Sequence, residues 1–316
     1  MSEVVLITGG TGFAGSHLVE LLVSQGVQNI HVTQYSDKGQ AEVPAFAQVT
    51  RHTVDLTDRT ATNELVAAVK PTQVYHLAAF AYVGKSFEKA AEVLQNNIQL
   101  QVTVLDAIKL HAPSARVLII GSAEEYGMSV DESEIPITED HPLRPVNPYA
   151  VSKITQDMLA YSYFQSYNLN IIRVRPFNHI GERQTDDFAV SAFAKQIVAI
   201  ERGEQTHLKV GNLSGIRDFT DVTDMVRAYQ ILMEKGIPGE VYNVGSGVGI
   251  EMERIIQILS SLSTVPVQIE IDQSRLRPLD IPVIVANNRK VAALGWQPTV
   301  PLETSLQRVV AYWRMI

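Results

Sequence analysis

A glycine-rich turn near the start of the chain limits the choice of folds more sharply than anything else in the sequence. Residues 9–15 read GGTGFAG, and they follow the short apolar run VVLI at residues 4–7. A helical spacing of leucines then extends over residues 16–24 and stops before Gly26. Strand, glycine turn and helix in this order predict the first βα unit of a parallel sheet, with a turn that lets a pyrophosphate approach the backbone and the helix N-terminus.

Strands and helices continue to alternate up to residue 175. Because buried strands separated by helices need crossover connections, this pattern predicts a doubly wound parallel sheet with right-handed crossovers. The predicted strands lie at 30–33, 48–54, 73–77, 116–120 and 170–175, and the predicted helices at 60–69, 90–110 and 149–167.

Beyond Pro176 the alternation is less regular. We therefore predict an α/β fold made of a Rossmann-like doubly wound parallel sheet with a smaller mixed α/β substrate lobe. Residues 1–175 plus about 218–245 are assigned to the first part, and residues 176–217 plus 246–316 to the second. The later elements are predicted as helices at 188–201, 222–235, 252–262 and 302–313 and as strands at 241–244 and 267–271.

Composition excludes several classes of function. The 316 residues include no cysteine, which excludes a disulfide scaffold, a thiolate nucleophile and a sulfur-ligated metal site. The histidines are scattered without a His-x-x-x-His pair, so we predict no metal. A formal charge of −8 gives no general attraction to nucleic acid, and no apolar run is long enough for a bilayer. The start Met1-Ser2-Glu3 lacks the basic residues of a signal peptide, and we expect a cytoplasmic protein without a membrane partner.

A tyrosine and a lysine are spaced four residues apart on the helix predicted at 149–167. Tyr149 and Lys153 therefore share one helix face, and a nearby ammonium favours the phenolate of a tyrosine, whose free pKa is near 10. Such a pair alone occurs on many helices. Its weight comes from the order along the chain, because Ser122 follows the fifth predicted strand and the glycine turn precedes both.

Five segments together resemble the extended short-chain dehydrogenase/reductase family, in its nucleotide-sugar branch. The resemblance covers nearly the whole chain. Within the branch it is closest to reductases of GDP-4-keto-6-deoxy-mannose and somewhat less close to GDP-mannose 4,6-dehydratases. The segments are TGGTGFAG at 8–15, GSAEEYG at 121–127, NPYAVSK at 147–153, RPFNHIG at 175–181 and IRDFTDV at 216–222.

The resemblance implies a dinucleotide site at the first strands. The cofactor-binding residues that it assigns are Gly9, Gly12, Phe13, Ala14, Gly15, Asp55, Leu56, Leu77, Ala78, Ala79, Tyr149 and Lys153. For Asp55 the alternative of a surface aspartate capping the next helix stays open. Gln34 and Tyr35 stand near the end of the second strand, where NAD enzymes place an acid. Since no acid stands at the expected point, we predict NADP, with NAD as an open alternative.

The resemblance also implies the reaction. In a reductase, hydride reaches the C4 keto group, Tyr149 donates a proton, Lys153 holds the nicotinamide ribose and Ser122 polarises the carbonyl. The product would be GDP-rhamnose or its C4 epimer. In a 4,6-dehydratase, Glu124 would act as an additional acid/base, and another nucleotide-sugar epimerase or dehydratase is a further alternative. The form of residues 177–183 favours the reductase, while Glu124 does not decide between the two.

The remaining implied residues concern the sugar nucleotide. Arg217 and Arg277 would meet the diphosphate, Asp280 the ribose hydroxyls and Asn178 the substrate, and Lys209 would shape the nucleotide pocket. Surface salt bridges and turn capping are the simpler alternatives for these side chains. The helices at 90–110 and 149–167 resemble those that pair in homodimers of the family. We predict a homodimer, although an intramolecular core would give the same pattern.

Overall fold

The computed structural model describes residues 3–36, 43–128, 134–275 and 281–316, and the fold given below is that of these ranges. The strands, in chain order, are Val5–Thr8 (β1), Ile30–Gln34 (β2), Thr50–Thr53 (β3), Gln73–His76 (β4), Arg116–Ile120 (β5), Asn170–Pro176 (β6), Asn178–Ile180 (β7), His207–Val210 (β8), Ile216–Asp221 (β9), Val241–Val244 (β10), Gly249–Glu251 (β11), Gln268–Ile271 (β12) and Val283–Ile284 (β13). The helices are Phe13–Ser24 (α1), Arg59–Val69 (α2), Val83–Ser86 (α3), Ala90–His111 (α4), Pro148–Tyr167 (α5), Ala189–Glu201 (α6), Val222–Lys235 (α7), Met252–Ser261 (α8), Arg289–Ala292 (α9) and Leu302–Met315 (α10). Short 3-10 turns occupy Pro44–Gln48, Ala123–Glu125 and Gln273–Arg275.

The large sheet sets the position of the functional site. Within the described ranges it has seven strands in the order β10-β6-β5-β4-β1-β2-β3, and every pair is parallel. The order reverses at β1, which pairs with β4 on one side and β2 on the other. Such a reversal opens a crevice at the carboxyl ends of the strands. The predicted Rossmann-like, doubly wound sheet is confirmed.

Both faces of this sheet are covered by helices, which explains why its central strands β1 and β5 are mostly apolar. Val5 and Ile7 of β1 pack in one apolar cluster with residues of α1 and α7, whereas Leu6 packs in another cluster with residues of α2, α4 and α5. Burial of each such side chain contributes about 1.5–3 kcal/mol, so a strand without polar interruptions is the stable choice here. In the described ranges, no helix combines the length and apolarity needed to cross a bilayer.

The second half of the chain forms the smaller part of the molecule. β9 lies at the centre of a mixed sheet, with β7 and β13 parallel to it and β11 antiparallel. β8 and β12 form a separate parallel pair, and α6, α8 and α10 bury apolar side chains beside β8. This part agrees with the predicted mixed α/β lobe. The division at residues 175, 218 and 245 stays a prediction, and residue 218 lies inside β9.

Candidate active site

The glycine turn leads directly into α1. Gly12 is the residue before the first helical turn, and no side chain caps the helix there. A β-carbon on Gly15 would lie 2.3 Å from the carbonyl oxygen of Gly9, and one on Gly9 would lie 3.0 Å from the backbone of Ala78. Only glycine fits these close approaches. The residues therefore fit a pyrophosphate, because an open helix N-terminus offers N–H donors and positive potential to an anion.

Phe13 and Ala14 form the half-buried first turn of α1. The ring of Phe13 stacks on that of His179 with a centroid distance of 5.7 Å, and it meets His17 edge-on. His179 lies in β7, directly after Asn178. The cofactor turn thus touches the strand that carries a predicted substrate residue, and His179 is a contact that the sequence did not reveal.

The residues predicted to bind the cofactor after β3 and β4 lie at the carboxyl ends of these two strands, on either side of β1 and β2 in the sheet. Asp55 is exposed, and its Oδ1 accepts hydrogen bonds from the N–H and hydroxyl of Thr57 at 2.9 and 2.7 Å. Asp58, rather than Asp55, caps α2. Leu56 is buried behind this turn.

Three further residues predicted to bind the cofactor directly follow β4. Leu77 and Ala78 donate from their backbone N–H groups to the carbonyl and hydroxyl oxygens of Thr8, each at 3.2 Å, and Ala79 follows half-buried. These bonds hold the segment after β4 against the glycine turn. At the end of β2, the Gln34 amide donates to the Thr53 hydroxyl at 3.0 Å.

Ser122, Tyr149 and Lys153 converge at the carboxyl end of β5. The hydroxyl of Ser122 accepts from the Glu124 N–H at 3.2 Å and lies close enough to the Tyr149 hydroxyl to affect its pKa. Lys153 Nζ donates to the Ile120 carbonyl at 2.8 Å and lies 5.9 Å from the centre of the Tyr149 ring. All three predicted residues are buried. Their placement supports proton transfer at this point.

Burial dominates the protonation of the pair on α5. It raises the pKa of Tyr149 above its ordinary value, against the opposing effect of the hydrogen bond with Ser122. It lowers the pKa of Lys153 to about 8. The predicted downward shift of the Tyr149 pKa is not the net result in this structure, because loss of solvation disfavours the phenolate more than its surroundings favour it.

Glu124 is half-buried and joins the same site. Its Oε2 accepts from Asn147 Nδ2 at 2.9 Å. Asn147 also caps α5, with its Oδ1 accepting the Ala150 N–H at 2.8 Å. One side chain thus ties Glu124 to the first turn of the helix that carries Tyr149. An asparagine before Pro148 is a recognisable helix start, so this role was within reach of the sequence.

The predicted substrate residues are only partly brought together. Asn178 is exposed in β7 and lies opposite Phe219 of β9, two residues along from Arg217. Arg217 is half-buried, and its guanidinium donates to the Ile216 carbonyl at 3.0 Å. Lys209 is exposed in β8, in the separate pair with β12. Arg277 and Asp280 lie outside the described residues.

Comparison with known proteins decides the family. Residues 6–309 match the family model described as GDP-mannose 4,6 dehydratase. The chain belongs to this family. The resemblance to the nucleotide-sugar branch of the short-chain dehydrogenases/reductases is confirmed. The relatives of this chain include proteins with more than one activity, so the name of the family does not by itself give the reaction.

Two curated relatives illustrate that range. The GDP-6-deoxy-D-mannose reductase of Pseudomonas aeruginosa is 31% identical over 315 residues, which cover 99% of this chain and 98% of that protein. GDP-mannose 4,6 dehydratase 2 of Caenorhabditis elegans is 26% identical and covers 98% of this chain and 88% of that protein.

Two solved structures share the fold and carry a dinucleotide. RMD from Pseudomonas aeruginosa, complexed with NADPH, superposes with a TM-score of 0.86 at 30% identity and 99% coverage of both chains. UDP-glucose 4-epimerase of Thermus thermophilus, complexed with NAD, gives 0.87 at 27% identity and 98% coverage of both. Prediction of an NAD(P)-dependent nucleotide-sugar enzyme is confirmed for the family, and the reductase is the more similar of the two curated relatives.

Proposed function

We propose that the protein reduces the C4 keto group of GDP-4-keto-6-deoxy-mannose with NADPH, giving GDP-rhamnose or its C4 epimer, with NADH as the alternative reductant. The observation that carries the proposal is the convergence of the buried side chains of Ser122, Tyr149 and Lys153 at the carboxyl end of β5. The identity of 31% to a GDP-6-deoxy-D-mannose reductase over nearly the whole chain supports the substrate class.

The chain's own residues divide the work of this reaction. The bound dinucleotide supplies the hydride. The open N-terminus of α1 binds its pyrophosphate, and Lys153 holds its nicotinamide ribose. The hydroxyl of Ser122 donates a hydrogen bond to the C4 carbonyl oxygen. Tyr149 keeps its proton at neutral pH because burial raises its pKa, and it gives that proton to the alkoxide oxygen, which is a far stronger base than a phenolate.

In this proposal, residues of the smaller part of the molecule bind the substrate. Asn178 would hydrogen-bond the sugar, Arg217 and Arg277 would meet the diphosphate, and Asp280 the ribose hydroxyls. Lys209 would border the nucleotide. Asn178 and Arg217 lie in paired strands, which supports a shared ligand. We propose on the same basis that residues 1–175 with about 218–245 bind the cofactor and that the rest binds the sugar nucleotide.

A 4,6-dehydratase is the second candidate, because the Glu124 carboxylate lies beside the first turn of α5 through Asn147. That reaction oxidises C4, removes the C5 proton, expels the C6 hydroxyl as water and returns the hydride to C6. It consumes no reductant. Glu124 would be the residue that takes the C5 proton.

One experiment separates the two reactions. The protein is incubated with GDP-mannose alone, and separately with the 4-keto-6-deoxy sugar plus NADPH or NADH. We expect loss of absorbance at 340 nm only with the keto sugar, and a faster loss with NADPH. Formation of the keto sugar from GDP-mannose without added reductant would contradict the reductase, and Glu124→Gln should then abolish it.

We also propose a homodimer formed through α4 and α5. Val151, Met158 and Tyr161 are exposed apolar side chains along α5, which supports a second helix pair covering them. Substrate and cofactor are anions that do not cross a bilayer unaided, which favours the cytoplasm as the compartment.

A further inference from the structure

A buried ionic cluster lies directly beneath Ser122. Its members are Glu125, which follows β5 in the short 3-10 turn, Asp157 on α5 and Arg175 on β6, and all three are buried. Burying charged groups is costly unless they are paired and hydrogen-bonded. The mechanism given above uses none of them, so their place behind the reacting groups needs an explanation.

Glu125 holds the backbone of the catalytic serine. Its Oε1 accepts the Ser122 N–H at 2.8 Å, and the two residues form a reciprocal capping box around the 3-10 turn. A β-carbon on Gly121 would lie 2.4 Å from the same oxygen, so the carboxyl group is packed tightly against the chain. The position of Ser122 therefore depends on this side chain.

Arg175 connects that turn to the catalytic helix. Its Nε lies 3.0 Å from Glu125 Oε2 and 2.9 Å from Asp157 Oδ2. Tyr149, Lys153 and Asp157 are spaced four residues apart on α5 and share one face. One guanidinium thus fixes the Ser122 turn relative to the face of α5 that carries Tyr149 and Lys153.

The other groups around the cluster complete its hydrogen bonds. Arg175 Nη1 lies 3.0 Å from the Tyr126 hydroxyl and 3.2 Å from the Glu139 carbonyl oxygen. Arg173 Nη1 lies 2.7 Å from Asp157 Oδ1. Arg175 thus bonds to the turn after β5, to the segment that contains Glu139 and to α5. The cluster therefore holds these three elements in a fixed arrangement.

The charges in the cluster act on the site. Burial and the Asp157 carboxylate raise the pKa of Glu125 above its ordinary value, against the opposing effect of Arg175. A charge on Glu125 raises the pKa of Lys153, and it also raises that of Tyr149. The protonation of Glu125 is therefore linked to that of both residues.

We propose that Glu125 is a positioning residue of the reduction, which fixes Ser122 against the Tyr149 hydroxyl through the Ser122 N–H and through Arg175. This inference rests on the function proposed above and deepens it. Glu125 does not touch the substrate. It sets the geometry of one hydrogen bond and the electrostatic field at Lys153.

Two substitutions test this role in opposite directions. Glu125→Gln is neutral at every pH, so Lys153 loses a stabilising charge and the alkaline limb of the kcat profile should move to lower pH. Asp157→Asn removes a carboxylate that raises the pKa of Glu125, so Glu125 ionises at lower pH and the limb should move to higher pH. A purely structural role would not shift the limb in opposite directions. We also expect Glu125→Gln to lower kcat by at least about tenfold with little change in KM for NADPH.

Asp224→Asn is the matched control. Asp224 is a buried carboxylate that accepts the N–H groups of Thr299 and Val300, away from the site. It should lose thermal stability but keep the wild-type kcat and pH profile. Wild-type kcat and profile in Glu125→Gln would overturn the positioning role. Should Glu125→Gln fail to fold, an unmoved limb in Asp157→Asn would overturn it equally.

The two proposals fail in different ways. An active wild type with an equally active Glu125→Gln removes the positioning role alone. A wild type that consumes no NADPH with the keto sugar removes the reductase, and the same variants are then measured with GDP-mannose, because Ser122 and Tyr149 serve both reactions. Inactivity with both sugars would overturn both proposals.

Discussion

The proton on Tyr149 is the smallest feature from which the proposed reaction can be tested. We expect Tyr149→Phe to lower kcat by about 10²–10⁴-fold, the usual contribution of a positioned proton donor. Binding of NADPH should persist, because the glycine turn is unchanged. Steady-state rates with the keto sugar and a fluorescence titration with NADPH measure the two quantities. Equal rates for variant and wild type would refute the assigned role.

Lys153 makes stability depend on pH in a definite direction. An unfolded lysine keeps its proton up to about pH 10.4, whereas burial lowers the pKa of Lys153 to about 8 in the folded chain. Between these values the unfolded state binds more protons, so the free energy of unfolding rises with pH. Below pH 8 the buried charge costs stability, and above it the cost is relieved.

Lys153→Met removes this linkage. Its free energy of unfolding, taken relative to wild type, should fall as the pH is raised from 8 to 10, by about 1.4 kcal/mol per pH unit and about 3 kcal/mol at most. Urea denaturation at several pH values gives the difference. A difference that does not change with pH would show that Lys153 is not buried with its proton.

The turn that opens α1 provides a steric test. Gly15→Ala would place a methyl group 2.3 Å from the Gly9 carbonyl oxygen, which forces the turn to open. We expect the Kd for NADPH to rise at least about tenfold, or 1.4 kcal/mol. Gly84→Ala is the control, since its β-carbon would meet nothing within 4 Å. Equal NADPH affinity in both variants would exclude this turn as the pyrophosphate site.

An ion pair joins α3 to the segment just before α6. It links the part of the molecule that contains the large sheet to the smaller part. Lys85 Nζ lies 2.6 Å from Asp187 Oδ1, and the rings of Tyr82 and Phe188 are 5.9 Å apart beside it. We expect Lys85→Asp to raise KM for the sugar nucleotide by about twofold, the scale of an exposed ion pair. The double variant Lys85→Asp, Asp187→Lys should restore it, and no rescue would show that the pair does not act together.

The sequence predicts some elements with their exact bounds and misses others for a physical reason. β5, α7 and β10 have the predicted limits, because mostly apolar runs mark the two strands locally and Asp221 caps the start of α7. β9 is not predicted as a strand, because Arg217 and Asp218 break its apolar pattern. Asp218 is buried, and its carboxylate accepts N–H groups of the distant loops at 246–247 and 286.

The same limit applies to the site. Ser122, Tyr149 and Lys153 follow one another in an order that carries chemical meaning, so the sequence could nominate them. Glu125 and Arg175 are 50 residues apart, and their contact exists only after β5 and β6 pair. The spacing of these two residues along the chain gives no indication of their contact. The pKa of Tyr149 was mispredicted for a similar reason, because burial depends on the complete fold.

The net charge of the whole molecule narrows where its ligands can bind. At −8, the chain repels anions on average, yet the proposed cofactor and substrate are both anionic. Positive potential must therefore be local, at the N-terminus of α1 and around Arg217. In this proposal the large sheet supplies the first and the smaller part supplies the second, so the two ligands would meet where these two parts adjoin.

The proposed homodimer is the largest-scale consequence that we draw from the sequence. Val151, Met158 and Tyr161 are 41–42% exposed and lie at i, i+7 and i+10 on α5, which places them on one side. Because these side chains are already more than half buried, covering the exposed part of each against a second copy would be worth about 1 kcal/mol. A two-fold axis lets the same stripe meet itself, with α4 beside it.

Met158→Glu places a charge in the middle of this stripe. We expect sedimentation to give twice the 34.9 kDa chain mass for wild type and a single chain mass for the variant. Met315→Glu is the control, because Met315 is exposed at the end of α10, which packs with α6 and α8 and not with α5, so its substitution should leave the dimer intact. Since α5 carries Tyr149 and Lys153 on its buried side, the separated chains should also show a lower kcat. A wild type that sediments as one chain at micromolar concentration would refute the dimer.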